Sequence, residues 1–172
     1  MKFVLAVTVL AALAMGGCGY RAGSHSAALL PNVRTIAVPT FENQTFRFKI
    51  EQTLTEAVMH EFLARTRYRV QSGTEGSDAV LEGIVTSISS GPIVFDPETG
   101  RTNRVLMTVG VRVSLLDSRT RKPILEPTDL SFREPYEVSP DPETYFAENG
   151  PALQRLSRNL AATVVSAIIE NF

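Results

Sequence analysis

The sequence predicts an α+β domain: a mixed, mostly antiparallel sheet of four to five strands with two α-helices packed on one face. Three observations lead there. Val105, Met107, Val109, Val111, Val113 and Leu115 are apolar at every odd position, with Thr108, Gly110, Arg112 and Ser114 between them, which is the period of a half-buried strand. Apolar residues recur at helical spacing over two segments, about 46–65 and about 143–170. The order strand, helix, three or four strands, helix then suits helices gathered on one side of a sheet. With 172 residues, 44% of them hydrophobic and 20% charged, the chain has the composition of a folding protein.

The N-terminus comes first in chain order and sets the compartment. Met1-Lys2 is a short positive start, and Phe3 to Ala14 is an apolar or small run broken only by Thr8. That run is short of the roughly 20 residues a spanning helix needs, so residues 1–17 read as a cleaved export signal. Gly16-Gly17 directly before Cys18, the single cysteine, resembles the bacterial lipobox, in which the thiol is acylated and becomes the first mature residue. Met15 stands where that pattern prefers leucine. The other reading is a secreted protein with an incidental cysteine. Lipidation at Cys18 implies a stable membrane anchor, because buried acyl chains contribute about 0.8 kcal/mol per methylene. Gly19 in place of an aspartate favours the outer membrane under the sorting rule for such lipoproteins. Residues 18–32 form the lipidated N-terminus and a short tether, with His25 as spacer, and 33–172 form one domain.

Thr35-Ile36-Ala37-Val38 reads as a short strand closed by Pro39. Glu42 to Thr45 is turn-like. Ile50, Leu54, Ala57, Val58 and Phe62 then mark the first helix, with Arg65 and Arg67 at its C-terminal end, where cations complement the helix dipole. Tyr68-Arg69-Val70 is a second strand, and Gln71 to Asp78 a polar turn. Ala79 to Ile88 is β-rich with imperfect alternation, as in a strand covered on both faces. Gly91-Pro92 interrupts it, and Ile93-Val94-Phe95 extends it beyond a bulge. Asp96 to Gly100 is a turn sequence, so a projecting hairpin joins this segment to the long strand at about 103–116. Asp117 to Lys122 is a charged turn. Ile124-Leu125 and Leu130-Ser131-Phe132 give a last strand broken by Pro127, which suits an edge. Pro135 to Pro142 is a loop, and Leu153, Leu156, Leu160, Val164, Ala167 and Ile168 form the stripe of the second helix.

The pattern offers little chemistry. No G-x-S-x-G elbow or phosphate-cradling glycine string occurs. His60, the one histidine in a folded element, reads as a helix-surface residue. Asp96/Glu98 and Asp141/Glu143 are paired carboxylates, but they sit in proline-containing turns where acidic residues are common for turn reasons. Asn43-Gln44-Thr45 matches a glycosylation sequon that is incidental in a bacterium. One cysteine and two histidines give no zinc spacing, so neither metal nor cofactor is expected. Seventeen Lys+Arg against eighteen Asp+Glu give a net charge of −1, so no basic field exists to hold nucleic acid. The sequence reads as that of a non-enzyme.

What remains is surface. Arg101 and Arg104 flank the hairpin, and Arg112, Arg119, Arg121 and Lys122 lie on or after the long strand, so positive charge could gather at one end of the sheet. Arginine pairs bidentately with phosphate, so Arg101, Arg104 and Arg112 are candidates for lipid phosphates, with neighbouring strand residues against acyl chains. The alternative is that they simply solvate an exposed sheet end.

The combination of pieces resembles a known family. Cys18-Gly19-Tyr20-Arg21, then Thr35-Ile36-Ala37-Val38-Pro39-Thr40-Phe41-Glu42-Asn43, a helix beginning near Phe46, and Leu106-Met107-Thr108-Val109 together resemble LptE, the LPS-assembly lipoproteins, over the whole mature chain. The I-A-V-P-x-F-E-N string is also similar to segments of curli-secretion lipoproteins and penicillin-binding-protein activators, which define the alternative. The LptE resemblance implies a two-helix α+β fold that plugs the outer-membrane β-barrel LptD and helps deliver lipopolysaccharide to the outer leaflet. It also implies basic residues near the sheet's loop end that contact lipopolysaccharide phosphates. The segment Glu134 to Glu143 is acidic here.

Overall fold

The computed structural model describes residues 30, 32–95, 97–98, 100–139 and 149–170. Cys18 with its signal segment, His25 and most of the tether, Asp96, and the loop carrying Asp141 and Glu143 lie outside the described residues. In chain order the elements are β1 (Thr35–Ala37), β2 (Glu42–Asn43), α1 (Ile50–Arg65), β3 (Arg69–Gln71), β4 (Ala79–Phe95), β5 (Thr102–Asp117), β6 (Pro123–Glu137) and α2 (Asn149–Glu170). The sheet order is β3-β1-β4-β5-β6, with β2 paired to β4. β1, β2 and β3 pair in parallel and the long β4-β5-β6 meander is antiparallel. The fold is the expected mixed α+β sheet with two helices, with one more strand than expected because β2 falls within the turn-like Glu42–Thr45.

The β5 alternation places Val105, Met107, Val109, Val111, Val113 and Leu115 all on the buried face. Leu54, Val58 and Phe62 of α1 and Leu153, Leu156, Leu160, Val164 and Ile168 of α2 close over it. The helices run side by side in one direction. Arg47, just before α1, donates to Asn149 Oδ1 at the start of α2 (2.8 Å), and Arg65 at the end of α1 donates to the Ser166 hydroxyl (2.9 Å) and the Ala162 carbonyl (3.4 Å). Arg65 thus ties two helices together as well as sitting at a helix C-terminus.

Several boundaries differ from the sequence reading, each for a local reason. The first helix starts at Ile50 rather than near 46, because Lys49 adopts a left-handed φ of 61° that cannot continue a helix. Gly91-Pro92 does not interrupt β4, since both stay in ladder with Leu106 and Val105, but the bulge expected beyond them is present as a register shift between Pro92 and Val94. Among the described residues only β5 borders β4 above Val85, and proline is tolerated at such an edge. The two fragments of the last strand are one element, Pro123–Glu137, so Pro135–Glu137 is strand rather than loop. Leu30, assigned to the tether, is 3% exposed, and its N–H donates to the Tyr68 hydroxyl (2.7 Å). The described helix α2 begins at Asn149, and 143–148 lie outside the described residues.

Gly83 marks a close approach of ring to backbone in the core. A Cβ there would stand 2.6 Å from the Phe41 ring, so only glycine lets that ring lie against the sheet. Phe41 is fixed in turn by Thr55, whose hydroxyl accepts the Phe41 N–H (3.0 Å) and donates to the Glu51 carbonyl one turn earlier (2.6 Å).

Candidate functional site

The two ends of the sheet differ in chemistry. At the base, where the chain enters, Asp78 Oδ2 accepts the N–H groups of Arg34 (2.9 Å) and Thr35 (3.0 Å). Those bonds favour the carboxylate and hold Asp78 below its ordinary pKa. Asp117 Oδ1 accepts the Thr120 N–H (2.7 Å), the Thr120 hydroxyl (2.9 Å) and the Arg119 N–H (3.0 Å), and its pKa is likewise lowered. The Tyr68 hydroxyl is raised by burial. A cavity of about 330 Å³ lined by Leu30, Val33, Asp78, Asp117 and Arg119 lies here. Its two carboxylates are engaged by backbone donors, which explains them as turn and strand-end fasteners.

The other end is the β4-β5 hairpin. Beyond Val85 it projects for ten further residues of β4, roughly 30 Å at about 3.3 Å per residue. Ile93, Val94 and Phe95 near its tip are 47%, 40% and 56% exposed. Arg101 follows the turn and Arg104 stands two residues into β5, both exposed. Arg104 reaches across to Glu137 of β6 (3.1 Å). A groove of about 570 Å³ on one side of this pair is lined by Arg104, Pro135, Tyr136, Glu137 and Arg155. A second, of about 350 Å³, is lined by Val94, Asn103, Arg104, Glu137 and Val138. This end therefore combines exposed aliphatic and aromatic surface with guanidinium groups around shallow grooves, a combination suited to an amphiphile with an anionic head.

The structure brings Arg101 and Arg104 together at the hairpin and sets Arg112 apart. Arg112 lies eight residues further along β5, roughly 27 Å away, and holds Asp129 through two bonds, Nε to Oδ1 (2.9 Å) and Nη2 to Oδ2 (3.1 Å), which raise its pKa. Arg119, Arg121 and Lys122 occupy the turn after β5, at the base, so the cations do not gather at one sheet end. Arg121 pairs with Glu82 there (2.6 Å). Nothing in the sequence singles out Arg155. It projects from α2 to Glu134 of β6 (2.6 Å), and its only sequence signal is its place beside the Leu153/Leu156 stripe.

Two other sequence features acquire local explanations. His60 is exposed on α1. The Asn43-x-Thr45 pattern is a loop fastener: Asn43 Oδ1 accepts the Thr45 N–H (2.9 Å) and hydroxyl (2.8 Å), while its Nδ2 donates to the Arg47 carbonyl (2.9 Å) and Glu51 (2.8 Å). This is an Asx turn extended by two further bonds, and it presents Phe46 and Phe48 to solvent. Among the described residues no group of three His, Cys, Asp or Glu side chains could hold a metal ion, and no helix is long and apolar enough to cross a membrane.

The family model described as lipopolysaccharide-assembly LptE matches residues 33–168. No curated protein gives a significant match. Similar solved structures include an uncharacterized lipoprotein B from Nitrosomonas europaea (TM-score 0.55, 12% identity, covering 81% of this chain and 88% of that one). Rare lipoprotein B from Shewanella oneidensis has a TM-score of 0.54 at 12% identity, covering 78% of this chain and 95% of that one. A PelC dodecamer from Paraburkholderia phytofirmans, in a singly substituted form, has 0.52 at 16%, covering 80% and 89%. At these identities the likeness is one of fold.

Proposed function

The chain belongs to the LptE family of lipopolysaccharide-assembly proteins, and from that premise we propose that it is a non-catalytic lipoprotein, anchored to the outer membrane through Cys18, that assembles with and plugs the LptD β-barrel. In this reading it helps deliver lipopolysaccharide to the outer leaflet, residues 1–17 are the cleaved signal and 18–32 the lipidated tether. The observation that carries the proposal is the extent of the family match, which runs from just before β1 nearly to the end of α2.

The hairpin end supports the ligand. Arg101 and Arg104 are the proposed contacts for lipid phosphates, with Ile93, Val94 and Phe95 against acyl chains and Arg112 as a separate contact further along the sheet. Charge-assisted bonds from arginine to phosphate are among the stronger polar contacts, and a phosphate displaces the exposed Glu137 carboxylate from Arg104 because a surface ion pair contributes only about 0–1 kcal/mol. The tether supports the location. Eleven residues separate Cys18 from Leu30, which limits their span to roughly 40 Å at full extension and keeps the domain near its membrane.

The test is affinity purification of the tagged full-length lipoprotein from detergent-solubilised outer membranes. The proposal expects one large barrel at one-to-one yield, retained through high salt because a plug interface is extensive. Recovery of a cell-wall synthase, or of a ring of the lipoprotein itself, would move the chain to a penicillin-binding-protein activator or a curli-type secretion component.

A further inference from the structure

The loop between β2 and α1 carries two phenyl rings that the fold does not use. Phe46 and Phe48 are the most exposed large apolar side chains among the described residues, at 107% and 81%, whereas Phe41 before them and Phe62 after them are buried. We propose that these two rings, with Lys49 beside them, anchor the chain to the inner wall of the barrel, in an apolar recess with a carboxylate at its rim. The inference rests on the plug reading above and deepens it by naming the contact.

The loop is a fixed frame. Arg47, between the two phenylalanines, turns inward: its Nη2 donates to Asn149 Oδ1 at the start of α2 (2.8 Å), its N–H donates to the Thr45 hydroxyl (3.2 Å), and its carbonyl accepts from Asn43 Nδ2 (2.9 Å). Thr45 is held by Asn43 in turn, and the Gln44 N–H donates to the Val85 carbonyl of β4 (3.0 Å). Phe46 and Phe48 are thus held outward on a segment fastened to the sheet and to α2. Ordering a loop at the moment of binding costs free energy, and this loop is ordered beforehand. Aromatic side chains seated in pockets carry much of the energy of a typical interface.

Charge supplies an independent observation. The Lys49 Nζ lies 5.1 Å from the centre of the Phe48 ring, and it has no carboxylate partner among the described residues. Glu51, the nearest acid in sequence, accepts from Asn43 Nδ2 instead (2.8 Å). The rings therefore come with an unmatched positive charge, and a carboxylate at the edge of an apolar recess complements it.

Position favours a wall over a bilayer. Asn43 stands level with Val85, roughly 20 Å along β4 from Ala79 at about 3.3 Å per residue. The loop accordingly lies on the flank of the domain, between the base where Leu30 enters and the hairpin, and a wall that surrounds a plug meets its flank. A bilayer accepts rings in any orientation and needs no rigid frame. The inner wall of a barrel is largely polar, so one recess shaped for two rings sets the height and rotation of the plug.

The test co-produces the full-length lipoprotein with its barrel and reads how much barrel stays bound through a high-salt wash. Phe46→Ser with Phe48→Ser is expected to lower that amount at least about tenfold, while the melting temperature of the free chain stays in place because both rings are exposed. Lys49→Glu is expected to lower it by less, and mainly at low salt. A photoreactive phenylalanine analogue at position 46 is expected to form its adduct with the barrel, a readout that does not depend on the fold of the double variant. The proposal is overturned if the double variant holds the barrel as wild type does, or if the adduct forms with lipid alone; the plug reading survives either result. A wild-type chain that recovers no barrel overturns both.

Discussion

The two halves of β4 are both rich in apolar residues and have different surroundings. Ala79–Val85 lies between β1 and β2 on one side and β5 on the other, and of its apolar side chains Ala79, Val80, Leu81 and Val85 are buried and Ile84 half-buried. Past the bulge at Thr86 the strand continues with β5 as its one strand neighbour among the described residues, and Ile93, Val94 and Phe95 are exposed. Folding accounts for the lower half, because those side chains build the core. It does not account for the tip, Ile93 to Phe95, where exposed apolar surface gains nothing until something covers it. The lower half is scaffold, and the hairpin end is the surface offered to a ligand.

The largest effect that could break this comparison is at Val109, which sits in the middle of the buried β5 face. Val109→Asp would bury a carboxylate with no partner, a cost of several kcal/mol, and is expected to leave no cooperative thermal unfolding in circular dichroism. A folded, soluble variant would mean that the strand faces the other way. Gly83 gives the next effect. Gly83→Ala drives a Cβ into the Phe41 ring and should cost about 1–3 kcal/mol, and adding Phe41→Leu should return part of the lost melting temperature.

Asp78 probes the base through pH. Its carboxylate pKa is lowered in the folded chain, so its contribution is present above the unfolded pKa of about 3.9 and is lost as pH falls through the folded value. Asp78→Ala is expected to cost about 1 kcal/mol near neutrality, by leaving the Arg34 and Thr35 N–H groups without their acceptor, and the gap to wild type should narrow below about pH 4. A gap that widened in acid would contradict the assignment. At the hairpin, Ile93→Ser with Phe95→Ser should change stability by no more than about 0.5 kcal/mol, whereas the same exchange at Leu81 and Val85 should be ruinous. Loss of the fold from the hairpin exchange would erase the distinction between the halves.

Legibility in the sequence follows the same division. The β5 alternation could be read directly because one face of that strand is buried along nearly its whole length, and both helices could be read because their stripes cover it. The start of α1 could not, since it depends on Lys49 taking a left-handed conformation within a loop fastened by Asn43. The unity of β6 was hidden by Pro127 and Pro135, which normally break a strand and are accommodated here at an edge. Arg101 and Arg104 stood out as a pair beside a turn. Arg155 did not, because its approach to Glu134 depends on α2 lying over β6, a contact between segments 21 residues apart. The separation of Arg112 from the hairpin was likewise invisible until strand length and register were known.

The most direct test of the hairpin as the ligand surface is the affinity of the folded chain for phosphorylated lipid A, measured for wild type and for Arg101→Glu with Arg104→Glu at matched melting temperature. The account predicts that the double variant melts with wild type and binds at least about tenfold more weakly, as expected when charge-assisted phosphate contacts become repulsive. Unchanged binding by an equally stable variant would contradict it and place the ligand on another surface.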